Sequence, residues 1–198
     1  GNFEHISAAA VLPWLRGAFD VASSGAPDFL FFSLQEVMDL SPVNVVVDSF
    51  QPSDDHFARV AIWRAAITEA LQLVALSSKA SSPSYQWLGQ STQVGLVLLV
   101  FGTREIRDSL LEIQVGNVKT GWGGYLGNKG SCVWRARLGK NGPTLCAVAS
   151  HFASGREKVA ERNQCYDMAV SARIFQSRVT STTAEERPTT HQARQSSV

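Results

Sequence analysis

The segment "VGLVLLVF", Val94–Phe101, decides the fold class because it contains no polar side chain. A short run of this kind is typical of a strand buried on both faces. Two similar runs, "FLFFSL" (Phe29–Leu34) and "TLCAVAS" (Thr144–Ser150), predict further buried strands. The second of these follows "GKNGP", which we interpret as a hairpin turn. The sequence therefore predicts a sheet that is covered on both sides.

Other segments predict strands with one wet face and the helices that cover the sheet. "LLEIQV" (Leu110–Val115) and Ser131–Arg137 alternate apolar and polar residues, as half-buried strands do. Apolar residues recur every three or four positions in the first twenty-odd residues and again from about His56 to Leu76, which predicts two helices. A third helix is predicted from Glu157 to about Phe175. These elements indicate an α/β or α+β fold with a mixed sheet flanked by helices.

Composition limits what the chain can bind and where it can work. A chain of 198 residues with a net charge of +1 has no overall attraction to nucleic acid, so we expect no nucleic-acid partner and only local anion binding. Three cysteines without C-x-x-C spacing argue against a disulfide framework and favour a reducing, cytoplasmic compartment. No apolar run approaches the length of a membrane span. Residues 1–175 are predicted to form the domain, and residues 176–198 a polar, disordered tail.

A carboxylate follows the first predicted strand. Glu36, in "SLQEV", lies two residues beyond Leu34. At the end of a buried strand it could hold a hard cation with open positions. A solvated glutamate that opens a loop is the simpler explanation on this segment alone.

A lysine stands in the stretch richest in glycine, "TGWGGYLGNKGSCVWRAR" (Thr120–Arg137). Glycine allows positive φ and close backbone approach, successive N–H groups can bind an anion, and Lys129 would add a charge suited to phosphate. The spacing fits neither a Walker A loop nor a dinucleotide fingerprint. Considered alone, the stretch is more simply a β-turn.

A histidine and an arginine occur together in "SHFASGREKVAERNQCY". His151 ends a predicted strand and could act as an acid, as a donor to developing charge or as a metal ligand, or it could be structural. Arg162 could bind a phosphate through its fork, or could be an ordinary exposed helix residue. With Glu36 and Lys129, these residues fit metal-assisted hydrolysis of a phosphate ester.

These segments resemble, in order and spacing, the inositol polyphosphate 5-phosphatase catalytic domain of the endonuclease/exonuclease/phosphatase group. "LQEV" is similar to its metal-site motif, "GNKG" to its glycine loop, and "SHFASG…RN" to its histidine–arginine motif. The resemblance covers roughly Ala8 to Phe175. It implies a DNase I-like four-layer sandwich and hydrolysis of the 5-phosphate of a phosphoinositide or a soluble inositol polyphosphate. A cytoplasmic enzyme with peripheral membrane contact is the expectation.

The resemblance also implies roles for the residues around the metal and the scissile phosphate. Glu36 would be the ligand of Mg²⁺, with Gln35 beside it. Lys129 would contact a phosphate of the inositol head group, and Asn128 would hold its loop. His151 would contact the scissile 5-phosphate and stabilise the transition state.

Further roles are implied for the helix that follows. Arg162, and Lys158 as a weaker candidate, would contact a neighbouring ring phosphate. Asn163 would support the loop.

The sequence also departs from the family pattern. The family's opening W-N motif and its later G-D-L-N-Y-R, C-D-R and S-D-H motifs do not occur, and Cys165 stands where the family has Asp. We therefore expect part of a phosphatase domain, truncated at both ends. Two alternatives follow. One is a catalytically incomplete remnant that at most binds phosphoinositide head groups. The other is a nuclease or sphingomyelinase relative, against which the G-N-K-G and R-N motifs count.

Overall fold

The structure is a computed structural model that describes residues 6–21, 26–77 and 83–175. The predicted polar tail, residues 176–198, lies outside the described residues. The elements in chain order are α1 (Ala8–Val21), β1 (Phe29–Leu34), α2 (Pro42–Phe50), α3 (Asp54–Ser77), β2 (Tyr85–Gln93), β3 (Leu96–Thr103), α4 (Arg104–Ser109), β4 (Leu110–Gly121), β5 (Leu126–Leu138), β6 (Thr144–His151) and α5 (Val159–Ser171). No helix within these ranges is long and apolar enough to cross a bilayer.

β3 is the centre of the first sheet and is buried along its whole length. β1 and β2 pair with it on either side, both antiparallel. Alternate β3 side chains point to opposite faces: Val97, Leu99 and Phe101 join one apolar cluster, and Leu96, Leu98 and Val100 join another. The prediction of a strand covered on both faces is confirmed here.

Two helices cover the outer face of the first sheet. Val11 and Leu15 of α1 meet Val60, Ile67 and Leu71 of α3 in the cluster that contains Val97 and its neighbours. The stripe predicted on the second helix is thus its buried face. Each such side chain contributes about 1.5–3 kcal/mol by leaving water, so these helices hold the sheet that carries β1.

The second sheet has the order β4-β5-β6 and is also antiparallel. Cys132, Trp134 and Ala136 of β5 are fully buried against the first sheet, as the alternation predicted. The segment after α5 approaches the other face, where a side chain at Gly116 would overlap Ile174. Helices, sheet, sheet and helix form four layers, which confirms the fold class. Within the described residues, however, both sheets are antiparallel and not mixed.

The prediction that β1 and β6 are buried on both faces is wrong. Phe31 of β1 is 42% exposed and Val148 of β6 is 56% exposed. Both strands lie at an edge of their sheet. α5 packs against β4 and β5, so the outer face of β6 stays open. α2 and β2 were not predicted, because α2 exposes its valines and β2 is largely polar.

Candidate active site

Three segments at strand ends bring Glu36, Lys129 and His151 together. Glu36 lies just beyond β1, Lys129 lies near the start of β5, and His151 ends β6. In the second sheet Gly130 pairs with His151, which puts Lys129 next to the histidine. The three side chains come from two sheets, so the sandwich itself creates the site.

Lys129 and His151 form the centre of the site. Lys129 Nζ lies 2.8 Å from His151 Nε2. Burial lowers the pKa of His151, and the charge of Lys129 lowers that pKa further, while Glu36 raises it. Burial likewise lowers the pKa of Lys129, against the charges of Glu36 and Cys165. An ammonium at Lys129 donates to a neutral ring, which puts the ring proton on Nδ1.

Glu36 faces solvent beside this pair. Its Oε1 lies 3.7 Å from His151 Nε2, and its side chain is 67% exposed. The residue has a φ of 55°, an uncommon value for a non-glycine residue and a feature that clusters at functional sites. Val37 N donates to Gly95 O at 3.2 Å, and Gly95, with a φ of 68°, has no room for a side chain against Leu40.

Gln35 fixes the same segment to the second sheet. Its Nε2 donates to Ser150 O at 2.9 Å, next to His151 in β6. Ser150 Oγ in turn lies 2.8 Å from Ser131 Oγ on β5. The prediction placed Gln35 beside a metal ligand, and the structure gives its amide nitrogen a role in joining two layers.

The glycine-rich stretch is a short turn followed at once by a strand. A 3-10 turn at Trp122–Gly124 joins β4 to β5, with Gly123 and Gly124 at positive φ. Lys129 lies in β5, where the next residue, Gly130, pairs with Lys119 on one side and His151 on the other. The prediction of a loop at Lys129 is therefore wrong, because Leu126–Leu138 form β5, while contact of Lys129 with a phosphate stays a prediction.

Asn128 is placed to stabilise the turn. A side chain on Gly121 would come within 2.6 Å of Asn128 Oδ1, so the amide packs directly on that glycine. Asn128 Oδ1 is buried and has no hydrogen-bond partner among the described residues. Its role in holding the segment stays a prediction.

α2 anchors the start of β5. Gly127 N donates to Ser49 Oγ at 2.7 Å, and Ser49 Oγ donates to Val45 O at 2.5 Å. Lys119 Nζ donates to Ser49 O near the end of α2, where a positive charge is favourable. The sequence signal for this helix was Ser41 before a proline, since Ser41 Oγ accepts from Asn44 N at 3.4 Å.

The structure does not bring Arg162 to Lys129 and His151. Arg162 Nη1 donates to Ala153 O at 3.1 Å and to Gly155 O at 2.5 Å, and so holds the loop that follows His151. Lys158 pairs with Glu161 at 3.2 Å on the surface. Asn163 is exposed on α5 and makes no hydrogen bond to that loop within the described residues. Substrate contacts by these residues stay predictions.

Two cavities lie near the site. The larger, of about 930 Å³, covers the outer face of β5 and β6 and contains none of Glu36, Lys129 and His151. The smaller, of about 200 Å³, lies between the 3-10 turn and α5 and is lined by Thr120, Cys165 and neighbouring residues. Its size allows only a small group. The three clustered side chains, open to solvent at Glu36, are the better candidate for chemistry than either cavity.

Comparisons with known proteins give one consistent result. The model of endonuclease/exonuclease/phosphatase family 2 matches residues 2–194. Synaptojanin of Caenorhabditis elegans is 29% identical over 137 residues, covering 69% of this chain and 11% of the relative. A probable inositol polyphosphate 5-phosphatase of Schizosaccharomyces pombe is 28% identical over 153 residues, covering 72% of this chain and 12% of the relative. The chain thus spans about a tenth of the length of these curated relatives.

A solved structure shares the fold. The inositol polyphosphate 5-phosphatase domain of a synaptojanin, in complex with inositol (1,4)-bisphosphate and a calcium ion, superposes with a TM-score of 0.60 at 22% identity. The match covers 77% of this chain and 39% of that one.

Proposed function

Since the chain belongs to the endonuclease/exonuclease/phosphatase family 2, we propose that it is a phosphoric monoester hydrolase that removes the 5-phosphate of a phosphoinositide or a soluble inositol polyphosphate. Relatives named as synaptojanin and as an inositol polyphosphate 5-phosphatase support this substrate class. Inositol (1,4)-bisphosphate, present in the solved neighbour, is the product expected when the 1,4,5-trisphosphate loses its 5-phosphate.

The observation that carries the proposal is the convergence of Glu36, Lys129 and His151. The ammonium of Lys129 lies 2.8 Å, and a carboxylate oxygen of Glu36 lies 3.7 Å, from His151 Nε2. Fixed donors next to a carboxylate suit a phosphoryl group, whose oxygens gain charge during transfer. Arg162 contributes by holding the loop after His151.

The residues fit Mg²⁺ as the metal of this site. Mg²⁺ binds through one or two carboxylates and keeps waters and substrate phosphates as its other ligands. Glu36 offers an exposed carboxylate, and its oxygens make no hydrogen bond within the described residues that would compete. The metal would supply charge neutralisation and polarise a phosphoryl oxygen.

The side chains of Lys129 and His151 would bind the phosphate and take part in proton transfer. Lys129 Nζ would donate to a phosphoryl oxygen. Burial and the charge of Lys129 lower the pKa of His151, so the neutral ring keeps its proton on the buried Nδ1 and directs the lone pair of Nε2 towards Lys129. When a substrate oxygen takes the place of His151 as the acceptor of Lys129, His151 Nε2 becomes free to bind a proton from water or substrate.

A second candidate is binding of inositol phosphate head groups without turnover. Within the described ranges, Glu36 is the only carboxylate within 4 Å of His151, and no group of three or more metal-ligating residues occurs. In the part of the chain that the structure describes, no second carboxylate that could orient an attacking water lies that close to His151.

Turnover and binding are distinguished by one experiment. We expect phosphate release from inositol 1,4,5-trisphosphate with Mg²⁺, with the 1,4-bisphosphate as product. Binding of the trisphosphate by calorimetry without any release would favour the second candidate. Neither binding nor release would refute both.

Peripheral membrane contact and a cytoplasmic location are part of the proposal. Exposed apolar side chains occur on α2 and on the turn before β5, namely Val43, Val46, Val47, Phe50, Trp122 and Tyr125. Ser49 ties the two parts together. Exposed aromatic and aliphatic groups of this kind suit the boundary between lipid head groups and acyl chains. Phe50→Ser with Trp122→Ser should abolish sedimentation with phosphoinositide vesicles, whereas Leu76→Ser, at an exposed leucine on α3, should not.

A further inference from the structure

The side chain of Gln93 binds the strand segment that carries Lys129. Gln93 ends β2, in the first sheet, and is only 6% exposed. Its Nε2 donates to Gly127 O at 2.8 Å and to Lys129 O at 3.0 Å. These two carbonyls lie on either side of Asn128 in β5. A single amide from one sheet thus holds three consecutive residues of the other.

Both donors of the amide are used, while its acceptor is not. A primary amide has two N–H groups, and here each faces one carbonyl. Gln93 Oε1 is buried without a hydrogen-bond partner among the described residues. The opposite orientation of the amide would place its oxygen against two carbonyl oxygens, so the hydrogen-bond network fixes this one.

The glycines of "LGNKG" leave room for this amide. A side chain at Gly127 would lie 3.2 Å from Gln93 Cγ, and one at Gly130 would overlap Gln93 Nε2 and Val118 O. Gly130 also has a φ of 152°, which other residues rarely adopt. The glycines near Lys129 are therefore explained by contact with the opposite sheet.

The sheet alone holds this part of β5 weakly. Pairing with β6 begins only at Gly130, opposite His151. On the other edge, the register with β4 shifts between Lys119 and Gly121. The backbone from Gly127 to Lys129 thus lacks a β6 partner and faces an irregular β4 partner, and Gln93 supplies hydrogen bonds that the ladder does not.

We propose that Gln93 is a positioning residue that holds Lys129 beside His151 and thereby sets the affinity of the site for an inositol phosphate. The inference rests on the proposed function, because Lys129 is taken as the group that contacts the phosphate. Lysine has a long, flexible side chain, so its ammonium is placed accurately only when its backbone is fixed. Gln93 touches no substrate and acts through Lys129.

A double-mutant cycle tests this, with inositol (1,4)-bisphosphate as the probe and calorimetry as the measurement. Gln93→Met keeps the length of the side chain and removes its donors. We expect it to weaken binding about tenfold in the wild-type background and to have almost no effect when Lys129 is already methionine. Equal losses in both backgrounds would overturn the proposal, because a general loss of stability does not depend on Lys129.

Gln86→Met is the matched control. Gln86 lies in the same strand, and its Oε1 accepts from Arg107 Nη1 at 2.7 Å, far from the site. We expect this variant to bind the probe like the wild type. A loss of affinity as large as that of Gln93→Met would also contradict the proposal.

Amide hydrogen exchange in the free protein separates this inference from the proposed function. Exchange at Lys129 and Gly130 should be about tenfold faster in Gln93→Met than in Gln86→Met. If the wild type does not bind the probe, the proposed function fails, while unchanged exchange refutes the positioning role. If Gln93→Met does not fold, Gly127→Ala should give a milder form of both effects, since its Cβ presses on Gln93.

Discussion

Replacing Gly130 with alanine should destabilise the fold far more than the same change at Gly123. Gly123 lies in the turn between β4 and β5 and Gly130 lies in β5, and both have positive φ, 69° at Gly123 and 152° at Gly130. Nothing lies within 4 Å of a Cβ built on Gly123. A Cβ on Gly130 would overlap the carbonyl oxygen of Val118 and the amide of Gln93.

Gly123, with a φ of 69°, lies near the left-handed helical region, whereas the φ of 152° at Gly130 lies outside it, so both packing and backbone strain make Gly130→Ala the more costly change. Positive φ costs a non-glycine residue about 1–2 kcal/mol, which is the whole expected loss at Gly123. At Gly130, overpacking adds about 1–3 kcal/mol, and displacing Gln93 removes two hydrogen bonds of about 1 kcal/mol each. Gly130→Ala should therefore lose roughly 5 kcal/mol, close to the whole stability of a marginal domain.

Urea unfolding gives the free energy of unfolding for both variants. We expect Gly130→Ala to unfold at a far lower urea concentration than Gly123→Ala, or to be unfolded without urea. Similar midpoints for the two variants, with equal slopes, would show that the contact between the sheets at Gly130 is loose and would refute the reasoning.

Two other predictions concern pH and the loop after His151. Burial lowers the pKa of His56 and of His151, so below about 6.5 the unfolded chain binds more protons than the folded chain. Stability should be complete above that value and should fall as the pH passes through the folded pKa values; urea unfolding that does not change between about pH 8 and about pH 5 would disagree. Arg162→Met should lose about 2 kcal/mol of stability, because two carbonyls lose a charged donor. Lys158→Met, which removes only an exposed ion pair, should lose at most about 0.5 kcal/mol, and equal losses would show that Arg162 does not hold the loop.

The sequence predicted the layers of the fold correctly for those segments whose apolar faces pack against another element. β3 is apolar throughout because α1 and α3 cover one face and the second sheet covers the other. The alternation of Ser131–Arg137 predicted one wet and one buried face, and Trp134 lies on the buried one. β6 was misjudged because its composition does not reveal whether α5 reaches it, and the structure places α5 over β4 and β5 instead.

The residues of the candidate site could be predicted from the sequence, but the residues that hold them in position could not. In the sequence, Glu36 follows a predicted strand, His151 ends one and Lys129 precedes one, and the family resemblance connected the three segments. Lys129 was expected in a loop because glycine usually marks turns, yet here the glycines admit Gln93 from the other sheet. No local pattern in the sequence indicates which distant amide will approach a given glycine.

α2 escaped prediction for a related reason. Its valines face outward, so the segment has no apolar stripe that indicates a helix packed on a core. Its structural contribution is made by Ser49, which accepts a hydrogen bond from Gly127. Arg162 donates to the carbonyls of Ala153 and Gly155, which the sequence did not indicate because backbone acceptors leave no mark in it, while its contact with phosphate stays a prediction.

Magnesium-dependent phosphate release from inositol 1,4,5-trisphosphate, compared between Glu36→Gln and Glu112→Gln, tests the central claim most directly. The two glutamates share a φ of 55°, and Glu112 lies in β4, paired with Arg137 at 2.6 Å and away from the site. We predict release of the 5-phosphate by the wild type and by Glu112→Gln, and loss of release in Glu36→Gln by orders of magnitude. Full activity of Glu36→Gln, or loss of another ring phosphate, would contradict the assignment of this site as a 5-phosphatase centre.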